Sequence, residues 1–167
     1  QDDERVGKET GFDQFSVAKA LLEAVEKVSS SLRIIIKPHP RDNEGEWQSW
    51  LLGRSKMPGV SLALAEDETD RLLAICDGVI GMTTMVLFEA ALSEIPALSL
   101  QLERKCTLNP RLDALGGIKC VTASGDMKGA VASFVRTLER PRKADASYQA
   151  ILGGAAVRLM VAIEEEI

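Results

Sequence analysis

At 167 residues, the chain is long enough for one domain that buries roughly 70% of its unfolded surface. Apolar residues make up 46%, too many for disorder and too dispersed for a membrane span. A net charge of -5 without any basic run argues against a general nucleic-acid binder.

In chain order, the acidic opening Gln1-Asp2-Asp3-Glu4 is not a charged-then-apolar leader. The sequence also lacks an initial Met, so a fragment or a processed chain is expected. Val6 to Gly11 reads as a strand-to-helix loop with no strand before it. The expectation is that the central strand feeding that loop lies outside this sequence, or that the sheet is one strand short. Asp13 to Ser29 reads as a helix with Asp13 as N-cap and Phe15, Ala18, Leu22 and Val25 on one stripe. Ile34-Ile35-Ile36 has no polar alternate face, the mark of a strand buried on both sides in a parallel sheet. Helices over Glu44–Leu52, Asp67–Cys76 and Thr83–Ser93 alternate with strands at Val60–Leu64, Gly78–Gly81 and Pro96–Leu100. A polar loop through Asn109-Pro110 leads to a strand at Ile118–Val121. Ser124 then caps a helix through Leu138, and Asp145 to Glu166 reads as a long helix bent at Gly153-Gly154. This alternation predicts an α/β fold: one Rossmann-like, doubly wound parallel sheet in three α/β/α layers over residues 1–167. The three cysteines, Cys76, Cys106 and Cys120, form no Cys-x-x-Cys pair and read as free thiols of a reducing cytoplasm.

Two motifs carry chemistry. Lys37-Pro38-His39-Pro40-Arg41 follows the isoleucine strand directly, and each proline drives its predecessor out of helical geometry. Lys37, His39 and Arg41 are thereby held at the carboxyl end of a central strand, the rim where open α/β sheets bind ligands. Such a set of donors suits an anion, most simply a phosphate. The second motif is Gly81-Met82-Thr83-Thr84, where a buried strand turns into a helix whose first N–H groups are free for an anion. Gly81 allows close backbone approach, and Thr83 and Thr84 add hydroxyls. Glu89 stands roughly 7.5 Å behind Thr84 along the helix axis, placed to accept from ribose hydroxyls. No Gly-x-x-x-x-Gly-Lys-Ser/Thr loop and no Gly-x-Gly-x-x-Gly fingerprint is present.

Ile35-Ile36-Lys37-Pro38-His39-Pro40, followed by the block from Asp77 to Leu92, resembles the carboxy-terminal half of GT-B-fold transferases with a His-Pro motif. That group comprises capsular polysaccharide transferases, CDP-glycerol glycerophosphotransferases and bacterial sialyltransferases; the non-hydrolysing UDP-N-acetylglucosamine 2-epimerases share its architecture. The likeness runs from about Ser31 to Gln101. It departs at Glu94-Ile95-Pro96, where the group usually has Gly-Lys/Ile-Pro. The resemblance implies His39 beside the donor phosphates, Thr83 and Thr84 on phosphate oxygens, Glu89 on the ribose, and Leu64 to Glu66 framing the base. It implies a CDP-, CMP- or UDP-linked donor with no further cofactor, and a separate amino-terminal acceptor domain. It also implies work in capsule or cell-surface polysaccharide synthesis, in the cytoplasm or at the inner membrane face. No Asp-x-Asp motif is present to hold a metal. Under this reading a cationic His39 protonates the leaving phosphate.

Plainer readings stand beside these. His39 and Lys37 can be ordinary loop residues, Arg41 can pair with Asp42 or Glu44, and the threonines can be caps. Glu89 can be a structural ion pair, and Trp47 and Trp50 suit packing better than sugar stacking. A 2-epimerase-like enzyme and a non-catalytic nucleotide-binding module remain alternatives. Alone, this chain is expected to be catalytically silent, because transfer needs an acceptor held in line. The many apolar residues of Leu159–Ile163 suggest a helix lying against the acceptor domain or a second copy of the chain.

Overall fold

The computed structural model describes residues 12–26, 28, 31–54, 57–66, 68–104, 118–138 and 157–163. Helix α1 (Gln14–Val25) starts at Asp13, whose carboxylate accepts from the N–H groups of Phe15 and Ser16 while the Ser16 hydroxyl closes the capping box. Strand β1 (Leu32–Pro38) ends at the first proline, and α2 (Glu44–Leu52) begins at Asn43, which accepts from Gly45 N–H. There follow β2 (Val60–Leu64), α3 (Thr69–Ile75), β3 (Gly78–Gly81), α4 (Val86–Leu92), β4 (Ala97–Leu100), β5 (Ile118–Val121), α5 (Ser124–Thr137) and β6 (Val157–Ile163).

The six strands form one sheet in the order β2-β1-β6-β3-β4-β5, every pairing parallel. Side chains alternate between its faces, as a pleated strand requires. Ile34, Ile36, Leu159, Val161, Ile80, Leu98 and Val121 pack on one side with α1, Trp47 of α2 and α5. Ile35, Met160, Ala162, Val79, Ala97 and Ile118 pack on the other with α3 and α4. The expected three-layer, Rossmann-like α/β architecture is therefore present.

The carboxy-terminal segment departs from expectation. Val157–Ile163 is a strand, not part of a helix, and it pairs with β1 on one side and β3 on the other. The centre of the sheet, expected to need a strand from outside the sequence, is filled by the last described element. Leu159, Met160, Val161 and Ala162 are each no more than 2% exposed. Their apolar side chains are buried in the two core layers, so they give no ground for a covering domain or a second copy. The physical reason is that a short run apolar on all sides suits a doubly buried strand as well as a buried helix; periodicity alone does not separate them. The rest of the expected long helix, and the Asn109-Pro110 loop, lie outside the described residues.

Smaller differences have local causes. Helix α4 starts at Val86 rather than Thr83, because Met82 to Thr84 form the turn that leaves β3. Ser124 is the first residue of α5, not its cap; its N–H donates to Glu103 Oε1 at 2.9 Å, a carboxylate reaching across from the end of β4. Among the described residues, no helix is long and apolar enough to cross a membrane.

The buried strand makes a direct test. Removing a fully packed leucine costs about 2–5 kcal/mol, whereas surface truncations stay within about 0.5 kcal/mol. Leu159→Ala should therefore lower stability by at least 2 kcal/mol in urea titration, while Leu92→Ala, at a position 84% exposed, should leave the midpoint nearly unchanged. Equal small effects at both positions would contradict the placement of β6.

Candidate functional site

In an all-parallel sheet the carboxyl ends of the strands share one rim. The register fixes what stands level there: Lys37 pairs with Ala162, which pairs with Gly81, which pairs with Ser99. Neighbouring strands are about 4.8 Å apart, so the ends of β1 and β3 are separated by about 10 Å, with β6 between them. By alternation, Lys37 leaves the sheet on the side covered by α3 and α4.

The His39 loop is a closed turn. Asp42 N–H donates to the His39 carbonyl at 2.9 Å, and His39 N–H donates to Asp42 Oδ2 at 3.1 Å. The same Oδ2 accepts from Trp47 Nε1 at 3.1 Å. Arg41 N–H donates to His39 Nδ1 at 3.0 Å. Lys37 and His39 are half-buried and Arg41 is exposed. Asp42, the acid next to Arg41 in sequence, is engaged by a backbone N–H and an indole; among the described residues no ion pair involves Lys37 or Arg41. The reading in which Arg41 is neutralised by Asp42 or Glu44 is not what the structure contains.

Trp47 is fully buried, 4.5 Å from the Phe15 ring and 5.6 Å from that of Trp50, while the Arg54 guanidinium lies 4.1 Å over Trp50. Both tryptophans pack, as the plainer reading expected, and Trp47 also anchors the His39 turn to the core.

The second motif is enclosed. Thr83 is 2% exposed and Thr84 is 0%. The Thr84 hydroxyl accepts from the N–H of Val86, the first residue of α4, at 3.2 Å, while Met85 holds the N-cap position without a side-chain cap bond. Gly81 is required for packing rather than for approach of a ligand: a Cβ there would lie 2.7 Å from the Thr84 methyl and 2.9 Å from the Ala162 carbonyl. Beneath this turn lies a polar network that the sequence reading missed. Ser99 Oγ donates to the Met82 carbonyl at 2.6 Å, and Gln101 Nε2 donates to Ser99 Oγ at 3.0 Å. Arg104 Nη1 donates to Gln101 Oε1 at 3.0 Å. The available signal was Ser99 and Gln101, two polar residues at strand spacing at the end of an apolar strand.

Glu89 is exposed, so burial forces no partner on it. Leu92, the last residue of the same short helix, and Met85, just before its start, are exposed as well. Glu89 lines a shallow cavity of about 350 Å³ between α3 and α4, shared with Asp70, Leu73, Ala74, Ser93 and Ile95. Leu64, Ala65 and Glu66 line a larger groove of about 510 Å³ against Glu44, Gln48 and Leu51 of α2. The structure thus places the two motifs on one rim, with the cations presented and the threonines withdrawn. Cys76 Sγ donates to the Leu73 carbonyl at 3.7 Å and Cys120 Sγ to Ser99 Oγ at 3.8 Å.

In comparisons with protein-family models, curated proteins and solved structures, no match to this chain is found.

Two substitutions probe this geometry. Glu89→Gln should leave stability within about 0.5 kcal/mol of the parent chain, because the carboxylate is exposed; a large loss on thermal melting would restore a structural role. Glu103 is held below the ordinary carboxylate range by accepting from the Ser124 backbone N–H and hydroxyl. A lowered folded-state pKa stabilises the fold above the unfolded-state pKa, and that contribution fades as pH falls through the folded-state value. Glu103→Gln should therefore lower the melting temperature at neutral pH, and the gap to the parent chain should close in acid. A gap that persists unchanged at low pH would show that Glu103 acts through packing.

Proposed function

We propose that this domain binds the phosphate end of a nucleotide-activated donor at the sheet rim, as the donor half of a GT-B-type glycosyltransferase or glycerophosphotransferase in cell-surface polysaccharide synthesis. The observation that carries the reading is the His39 loop: Lys37 and Arg41 stand at the carboxyl end of β1 without an ion pair among the described residues. Two cations without an ion pair among the described residues, beside a half-buried imidazole, are electrostatically suited to a phosphate or diphosphate. Charge-assisted hydrogen bonds to such a group are shorter and stronger than neutral ones. In a transfer reaction the same donors would stabilise the negative charge that grows on the departing nucleotide phosphate. Glu89, exposed one turn into α4 on the face that Lys37 also leaves from, is the residue assigned to ribose hydroxyls. The groove at Leu64–Glu66 is assigned to the base.

The withdrawn Thr83 and Thr84 favour one second reading, a module that binds the nucleotide without reacting. In the transferase reading the acceptor and its base come from a further domain or partner, and in both readings this chain alone does not catalyse transfer.

Calorimetry with CMP, CDP and UDP against cytidine and uridine tests the common core of both readings. Nucleotides should bind more tightly than nucleosides, and Lys37→Ala and Arg41→Ala should each cost about tenfold, one charge-assisted hydrogen bond apiece. Equal binding of nucleoside and nucleotide would overturn the proposal.

A further inference from the structure

We propose that Asp42 is the positioning residue of the His39 loop, fixing the imidazole as a neutral ring that presents its Nε2–H at the rim. Four hydrogen bonds define the turn, and together they leave the ring little choice. Arg41 N–H donates to Nδ1 at 3.0 Å, so Nδ1 carries a lone pair and the ring proton resides on Nε2. A doubly protonated ring has no lone pair at Nδ1 and must give up that bond.

Asp42 holds the backbone that makes this possible. Its Oδ2 takes the His39 N–H at 3.1 Å, and its own N–H closes the turn on the His39 carbonyl at 2.9 Å. The same Oδ2 is tied to Trp47 Nε1 at 3.1 Å. Trp47 is fully buried against Phe15 and Trp50, so the carboxylate is referenced to the core and not merely to a surface loop. Loss of Asp42 therefore frees the turn at both ends: the His39 amide and the indole each lose their acceptor.

The arrangement divides the work of the loop. Lys37 and Arg41 supply positive charge, and His39 supplies one directed hydrogen bond without charge of its own. That departs from the expectation of a cationic His39 acting as proton donor to a leaving phosphate. The nature of the anion rests on the reading under Proposed function; the fixing of the ring does not.

The test is long-range proton–nitrogen NMR of the His39 imidazole in the full chain at about pH 8, above the ordinary histidine pKa of about 6.5, with inorganic phosphate and CMP as probes. The parent chain should show a single Nε2–H tautomer. Asp42→Ala should show both tautomers, a displaced Trp47 indole N–H resonance and about tenfold weaker CMP binding, the loss of one directed hydrogen bond to a charged group. Asp42→Asn keeps a side-chain oxygen for both donors and should restore the tautomer and the affinity. An Nδ1–H or mixed ring in the parent chain would overturn the proposal, whether or not the alanine variant folds. So would a single unchanged Nε2–H tautomer in Asp42→Ala. A fixed Nε2–H ring in a parent chain that binds neither phosphate nor CMP would uphold the role of Asp42 and overturn the nucleotide reading instead.

Discussion

The pairing of β6 between β1 and β3 is the constraint on which the rest of the structure depends. Without that strand the sheet would be two pieces, β2-β1 and β3-β4-β5, with no ladder between them. The ladder sets the register, and the register sets Lys37, Ala162 and Gly81 in one row across the rim. Burial gives the strand its hold. Leu159, Met160 and Val161 each contribute about 1.5–3 kcal/mol by leaving water, and Ala162 is small enough for its carbonyl to lie beside the side-chain-free face of Gly81. Gly81 is thus tied to β6 by packing, and a turn that read as a ligand cradle is first a piece of the core.

The balance between site and core runs differently in the two motifs. In the β3–α4 turn, polar groups face inward. The Thr84 hydroxyl accepts from Val86 N–H, and Ser99 and Gln101 hold the Met82 carbonyl, so these buried polar atoms are partnered. In the β1–α2 turn, the acid faces inward toward Trp47 and the cations are left outward. Asp42, the acid next to Arg41 in sequence, has its Oδ2 engaged by the His39 N–H and the Trp47 indole. Lys37 and Arg41 are thereby left without an ion pair among the described residues.

Most of the fold was legible from pattern. Glu44–Leu52, Val60–Leu64, Gly78–Gly81 and Ile118–Val121 fall where periodicity and punctuation put them, because each is bounded by glycine, proline or a capping side chain. The segment Val157–Ile163 is ambiguous in sequence, because an apolar run with no polar face carries no period and its length suits either element. The strand expected to lie outside the sequence, or to be missing, has its central place taken by β6. The candidate cations were legible, since strand-end position follows from sequence alone. The roles of Asp42, Ser99, Gln101 and Glu103 were not, because each acts through a contact that only the folded chain brings together, at separations of up to 21 residues.

Residue-level hydrogen exchange of the native chain tests whether β6 holds the two halves of the sheet together. The account predicts that the amides of Leu159 to Ala162 exchange as slowly as those of Ile34 to Ile36 and Val79 to Ile80, through global unfolding alone. Rapid exchange at Leu159 to Ala162, like that of a frayed terminus, with β1 and β3 still protected, would contradict it.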